Sequence, residues 1–386
     1  MRLINILFIV IFIFFLFAPI TQTVFKFVPV EELNGVIELV EKPTLSIQKV
    51  IEGTFQKQVE RWFDSIIGFR GYLVKTDNQI NFSLFKEITG SKNVKIVLGK
   101  DNYLFEKGYI DSLNKKDIIS GEKMDAKVQL LQQLQNELNK IGKSFIFIIA
   151  PNKASVLQEY IPERYIDKRR LKEKTNYELS IPFLDKYNIN YIDAHKYFVE
   201  NVDKPKQLFF TRGGTHWNYY GACLISSEIT QKTEQNLKKN LVNISCDPPT
   251  VDNEPFGTDK DLSRLLNIWN ENIINGPTIH PYYQNNATGI EFKPDILMVG
   301  DSFAWTIAEI MGATEVFNSM DVYYYYNTSF KYPSNIKIDI NKKAINWKDN
   351  VLNNDIIIVE VNESGLHDIG FGFVDDLLVY LTHENK

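Results

Sequence analysis

Apolar positions along this chain fall into runs of distinct length and spacing. Residues Leu3–Ile20 are apolar almost without a break, interrupted only by Asn5 and Pro19. Crossing a bilayer takes ~17–25 such residues. Short apolar runs come much later: Ser144–Ala150 (SFIFIIA), Asn190–Ile192, Ile296–Val299, Val322–Tyr326 and Asp355–Val361 (DIIIVEV). Runs of this length predict strands covered on both faces. Helical spacing separates them. Met124, Val128, Leu131, Leu134 and Leu138 form one stripe, and Gly142 follows as a stop. A weaker pattern spans Lys172–Leu184, and another helix follows Trp217 through Ala222, Leu224 and Ile225. Nearer the N-terminus, Phe55, Val59, Trp62, Phe63 and Ile66 predict a helix. Gly68 breaks it before a second helix through Leu73, Ile80 and Phe85. Val94–Leu98 and Tyr103–Phe105 read as a hairpin.

Strands alternating with helices predict an α/β fold, a parallel sheet with helices on both faces. The expected organisation is an anchor at 1–22, a connector with N-terminal helices at 23–92, and a main domain at 93–386. An irregular insertion is expected near 232–292, with one helix at Leu262–Trp269.

Composition sharpens this only in places. Arg2 is the one charge before the apolar run, and no small-x-small cleavage site closes the run. That favours an uncleaved anchor over a signal peptide, with the body outside the cytoplasm. A net charge of −5 with no block of like charges argues against a nucleic-acid partner. It leaves a glycan open. Cys223 and Cys246 are the only cysteines, too few for a zinc site. A disulfide and a buried free thiol both fit.

Candidate chemistry centres on Pro294–Trp305, PDILMVGDSFAW. A buried strand ends at Gly300 and hands Ser302 to the start of a helix. Open α/β sheets place their sites at such strand ends. Thr211–Ala222, TRGGTHWNYYGA, could present His216 on a glycine-rich loop as the base that a serine nucleophile needs. Asn362, after Val359–Val361, could add an oxyanion donor.

In chain order, RWFDSIIGFRGYLV, KIVLGKDNYLF, APNKASVLQEYIP, GGTHWNYYGA, DLSRLLN, MVGDSFAW and VEVNES resemble the SGNH-hydrolase-like proteins of the AlgX and AlgJ type. Those proteins act in O-acetylation of exported polysaccharides. The resemblance covers most of residues 50–376, and its histidine-before-serine order is the permuted order of that family. It implies that Ser302 is the acetyl-carrying nucleophile, His216 its base and Asn362 the oxyanion Asn, with Gly300 and Asp301 in the serine turn. It also implies a polysaccharide acceptor and a multipass membrane acyltransferase as acetyl donor. No metal or diffusible cofactor is implied. Lys153, Trp217 and Trp305 are candidate substrate contacts, with a solvated lysine and core packing of the two indoles as the alternatives.

One position departs. The family pattern has Asp two residues before the histidine, and here that residue is Gly214. Another carboxylate could serve, with Asp193 at a strand end the first candidate. A Ser-His dyad and a domain that has lost catalysis are the alternatives. Asp193-Ala194-His195 has the Asp-x-His spacing but lacks the following Trp, and reads as a decoy. The sequence thus leaves three functions: O-acetyltransferase, esterase with the same serine, and non-catalytic component of a polysaccharide machine.

Overall fold

The computed structural model describes residues 2–35, 40–88, 94–200, 209–332, 334 and 336–384. Two compact units are present: 1–96 with 263–271, and 97–262 with 272–386.

In the first unit, Leu3–Phe25 is a single helix with an apolar stretch of mean hydropathy 3.0, none of which is buried. Its length and composition fit a membrane anchor. Helices Thr54–Ile66 and Arg70–Phe85 follow, separated at Gly68 as the spacing predicts. Asn78 ties the second helix to the 263–271 segment by donating to the Leu266 carbonyl at 2.9 Å.

The second unit is built on seven strands. They are β1 (Ser144–Ala150), β2 (Tyr191–Asp193), β3 (Asp295–Gly300), β4 (Ser319–Tyr324), β5 (Thr328–Tyr332), β6 (Ile336–Asp339) and β7 (Ile356–Asn362). Their order is β6-β5-β4-β3-β7-β1-β2. The run from β4 to β2 is parallel. At the other edge β5 and β6 are antiparallel. β7 lies between β3 and β1, with Val359 opposite Val299 and Asn362 opposite Ala150.

Period-two alternation divides each strand between two cores. On one face Phe145, Phe147, Leu297, Val299, Ile357 and Val359 meet the stripe of α1 (Gly121–Lys140), together with α2 (Asn176–Lys186) and α5 (Phe373–Glu384). On the other, Ile146, Ile148, Ile296, Met298, Ile356 and Ile358 meet α3 (Tyr219–Leu237) and α4 (Ala304–Ala313). The fold is therefore α/β with helices on both faces, and the predicted α1 stripe is the buried one.

The 232–292 region differs from expectation. α3 runs on to Leu237, and Ile244–Asp252 pairs antiparallel with Thr278–Asn285. Prolines 248 and 249 concealed this strand, since proline cannot donate to a ladder, and the register shifts there, between Asp247 and Thr250. The helix expected at Leu262–Trp269 spans Asp261–Leu265. β5 and β6 were not foreseen; every residue of β6 is exposed, so no apolar run marks it.

Cys223 on α3 and Cys246 on the ladder form a disulfide, with Cα atoms 6.1 Å apart. Replacing both with serine is expected to lower unfolding free energy by roughly 3 kcal/mol, the scale for a loop of this size. Denaturant melts would read this, and an unchanged midpoint would contradict it.

Candidate active site

Ser302 stands two residues beyond β3, and α4 begins at Ala304. Asp301 shapes the turn. Its carboxylate accepts from Phe303 N–H at 2.9 Å and from Asn362 N–H, at the end of β7, at 2.7 Å. Its own N–H donates to Glu360 at 3.0 Å. The ends of β3 and β7 are thereby fastened behind the serine.

His216 arrives from the other motif. Asn218 caps α3 by accepting from Gly221 N–H at 2.9 Å, which fixes the loop just before it. Packing does the rest. Trp217 is fully buried, stands edge-on to Phe303 at 5.4 Å, and donates from Nε1 to Thr306 at 2.6 Å. Phe303 also meets the His216 ring at 4.8 Å. Residues adjoining the serine and the histidine are thus interlocked, and His216 Nε2 lies 2.7 Å from Ser302 Oγ.

The third member is Asp261. Its Oδ2 lies 2.5 Å from His216 Nδ1, and its Oδ1 accepts from Thr215 N–H at 2.8 Å. Further bonds stitch its loop to the histidine loop. Thr211 donates to the Asp259 carbonyl at 2.6 Å, and Leu262 N–H donates to the Gly213 carbonyl at 3.0 Å. This explains Gly214. A Cβ there would stand 2.6 Å from the Thr258 carbonyl and 2.8 Å from Thr211 Oγ1. The loop that brings Asp261 fills the space an aspartate at 214 would need.

Asp193 is corrected accordingly. Its carboxylate accepts from the Tyr177 hydroxyl at 2.9 Å and from Lys196 N–H at 2.8 Å. It ends β2, three strands away from β3, or about 14 Å at ordinary strand spacing.

Lys153 is also not a substrate contact. It is 1% exposed, and its ammonium donates to the carbonyls of Arg212 at 2.9 Å and Gly214 at 2.7 Å, under the histidine loop. Burial pulls its pKa down to about 7 against the pull of Asp261 and Asp259. Trp217, as described, is core. Trp305 is half-buried against Phe330 at 4.5 Å and Tyr324 at 5.2 Å. The Trp217 indole, fully buried, has no face open to a sugar.

Asn362 has a more pointed geometry. Its Oδ1 accepts from Ser364 N–H at 3.0 Å and Ser364 Oγ at 2.7 Å, which fixes the amide's orientation. Its Nδ2 is buried with no partner among the described residues.

Three groups went unnoticed in the sequence. Tyr325, just past β4, donates its backbone N–H to the Gly300 carbonyl at 2.9 Å, beside the serine turn. Glu106 approaches Thr215 Oγ1 at 3.3 Å, and burial raises its pKa. Glu360 is wholly buried beside Asp301. Tyr325 and Glu106 lie outside the quoted motifs, and Glu360, though within VEVNES, is defined by its contact across strands to Asp301. Asp261 did have a signal, as the first residue of DLSRLLN.

Charge around the histidine favours proton transfer. Burial disfavours the imidazolium, but Asp261, then Asp301 and Glu106, outweigh it and raise the His216 pKa above its ordinary value. The arrangement can take a proton from Ser302 and hold it as an imidazolium.

Fold and site together define an α/β domain that carries a serine, a histidine and an aspartate within hydrogen-bonding reach at one end of its sheet. Residues 96–247 match the profile of the family described as ALGX, SGNH hydrolase-like domain, acetyltransferase AlgX. The resemblance read from the motifs is borne out over that stretch, which holds His216. Among solved structures, the chain is similar to the O-acetyltransferase domain of Pseudomonas putida AlgJ. Identity is 14% over 75% of this chain and 99% of that one, with TM-score 0.47. Pseudomonas aeruginosa AlgX gives 16% identity over 73% and 66% of the two chains, with TM-score 0.42. Bacillus cereus PatB1 gives 12% over 73% and 100%, with TM-score 0.43. Comparison with curated proteins finds no match.

Burial and the adjacent Asp301 hold the Glu360 carboxyl well above the usual range, which favours its protonated form. The unfolded chain releases that proton near pH ~4.3. The stability it contributes is complete below that pH and is lost as pH rises toward the folded value. Glu360→Gln is therefore expected to fall less in melting temperature than wild type between about pH 5 and 8. Parallel melting curves would mean that Glu360 is ionised in the native state.

Proposed function

We propose that this protein is a membrane-anchored, extracytoplasmic O-acetyltransferase that moves acetyl through Ser302 onto polysaccharide hydroxyls. The observation that carries the reading is the relay from Asp261 through His216 to Ser302, at 2.5 and 2.7 Å. Acetyl is favoured as the cargo by the family match over residues 96–247. The apolar helix Leu3–Phe25 and the Cys223–Cys246 disulfide fit a body held in an oxidising compartment.

In the first half-reaction His216 Nε2 takes the proton as Ser302 Oγ attacks the acetyl carbonyl of the donor. Asn362 Nδ2 is the donor proposed for the oxyanion, worth ~10²–10³ in rate for one such group. The leaving group departs with the proton, and Ser302 holds the acetyl ester. In the second, His216 removes a proton from a sugar hydroxyl, which attacks the ester, and Ser302 recovers its proton. The natural donor is proposed to be a multipass membrane acyltransferase, reached through the shared membrane. The Gly214 departure no longer supports a non-catalytic role, because Asp261 occupies the acid's position.

Full-length protein in detergent, incubated with p-nitrophenyl acetate, is expected to show a single acetyl adduct by intact-mass spectrometry. Ser302→Ala and His216→Ala should show none. An adduct that persists in Ser302→Ala would overturn the assignment. Loss of the adduct no faster with oligosaccharide than with water would identify an esterase.

A further inference from the structure

Beside the triad, on the same rim of the sheet, lies a second constellation that the reaction above leaves unused. A cavity of about 260 Å³ opens where β7, β1 and β2 end. Its walls include Lys115, Ser155, Gln158, Tyr177, His195 and Glu363. The Glu363 carboxylate is 6% exposed and already organised. It accepts from Asn152 N–H at 2.7 Å and from the Ser155 hydroxyl, and its other oxygen lies 3.0 Å from His195 Nδ1. The His195 ring lies against Tyr177, with centroids 4.3 Å apart. Tyr177 is held in turn by Asp193.

This is not a second catalytic triad. Ser155 Oγ and Glu363 both approach the same ring nitrogen, Nδ1, at 3.4 and 3.0 Å. A triad needs the serine on one nitrogen and the acid on the other. Nor is it an economical strut, since apolar side chains hold strand ends without the desolvation of a buried carboxylate and imidazole. Fixed polar groups around an open cavity are what a ligand site requires.

The walls continue the active-site elements. Glu363 follows Asn362, whose N–H is bonded to Asp301. Asn152 and Ser155 flank Lys153, which holds the Gly214 carbonyl. Along the rim, β7 and β1 are one and two strands from β3, or about 5 and 10 Å at ordinary spacing. A chain substrate with one unit at Ser302 can place a neighbouring unit here.

The lining defines the unit's chemistry. It offers hydroxyl, amide, imidazole and carboxylate groups, one aromatic ring and one lysine. That set suits neutral hydroxyls better than an apolar or polyanionic group. The volume lies just under the ~300–1,000 Å³ of drug-sized sites, which suits one ring rather than several. We infer that this cavity is an acceptor subsite, binding one neutral glycosyl residue of the polysaccharide and so setting which hydroxyl reaches Ser302. The inference rests on the acetyl-transfer reading for its purpose, though not for its test.

The test is equilibrium binding without chemistry. Full-length protein in detergent is titrated calorimetrically with cellopentaose and with N-acetylated chitopentaose. At least one is expected to bind wild type and Ser302→Ala alike. His195→Gln and Gln158→Ala should each weaken binding at least tenfold while leaving the melting temperature unchanged. If His195→Gln unfolds, Gln158→Ala decides alone. Binding unaffected by the pocket variants, or no binding of either sugar to wild type, would overturn the subsite. Binding through His195 in a protein that never acetylates Ser302 would sustain the subsite and overturn the reaction instead.

Discussion

The candidate active site depends on the aromatic lock between Trp217 and Phe303. One adjoins His216 and the other Ser302, and their edge-to-face contact at 5.4 Å fixes the separation of two loops 86 residues apart in sequence. The Trp217–Thr306 hydrogen bond sets how far the histidine loop can slide along α4. A serine and a histidine on exposed loops would not hold 2.7 Å by their mutual bond alone, which is worth only ~1 kcal/mol net. Burial of an indole and a phenyl ring supplies several times that.

A second constraint decides where the acid comes from. Gly214 has no room for a side chain because the 258–261 loop packs on it. The same loop delivers Asp261 to the far nitrogen of the imidazole. Beneath it the ammonium of Lys153 organises the carbonyls of the histidine loop. Asp259 sits in the same layer, with burial and the charge of Asp261 raising its pKa to about 8. Buried polar groups of this kind add little to stability and much to register.

Much of the fold was legible because its strands are buried on both faces. Runs such as SFIFIIA and DIIIVEV can be little else, and the α1 stripe had one face to bury. What escaped notice lies at sheet edges and in the 244–285 ladder, where exposed or proline-broken strands carry no apolar signature. Ser302 and His216 were legible because each follows a local signal, a strand ending in glycine and a loop opening a helix. Asp261 and Glu360 were not assigned roles, because each is defined by a contact across the fold. Asp193 was misread because sequence does not give the order of strands in the sheet, and Lys153 because side-chain direction is not legible. Sequence places a residue near a strand end but does not say whether its side chain faces the cleft or the layer behind it.

The central claim is that Asp261 has taken over the task that the family pattern gives to the residue at 214. It is tested most directly by the rate of Ser302 acetylation in Asp261→Asn beside Asp193→Asn, both confirmed folded. Neutralising the acid of such a relay lowers turnover by ~10⁴. A loss approaching that size in Asp261→Asn, with Asp193→Asn close to wild type, is the expected result. A near-wild-type rate in Asp261→Asn, or a comparable loss in Asp193→Asn, would contradict it.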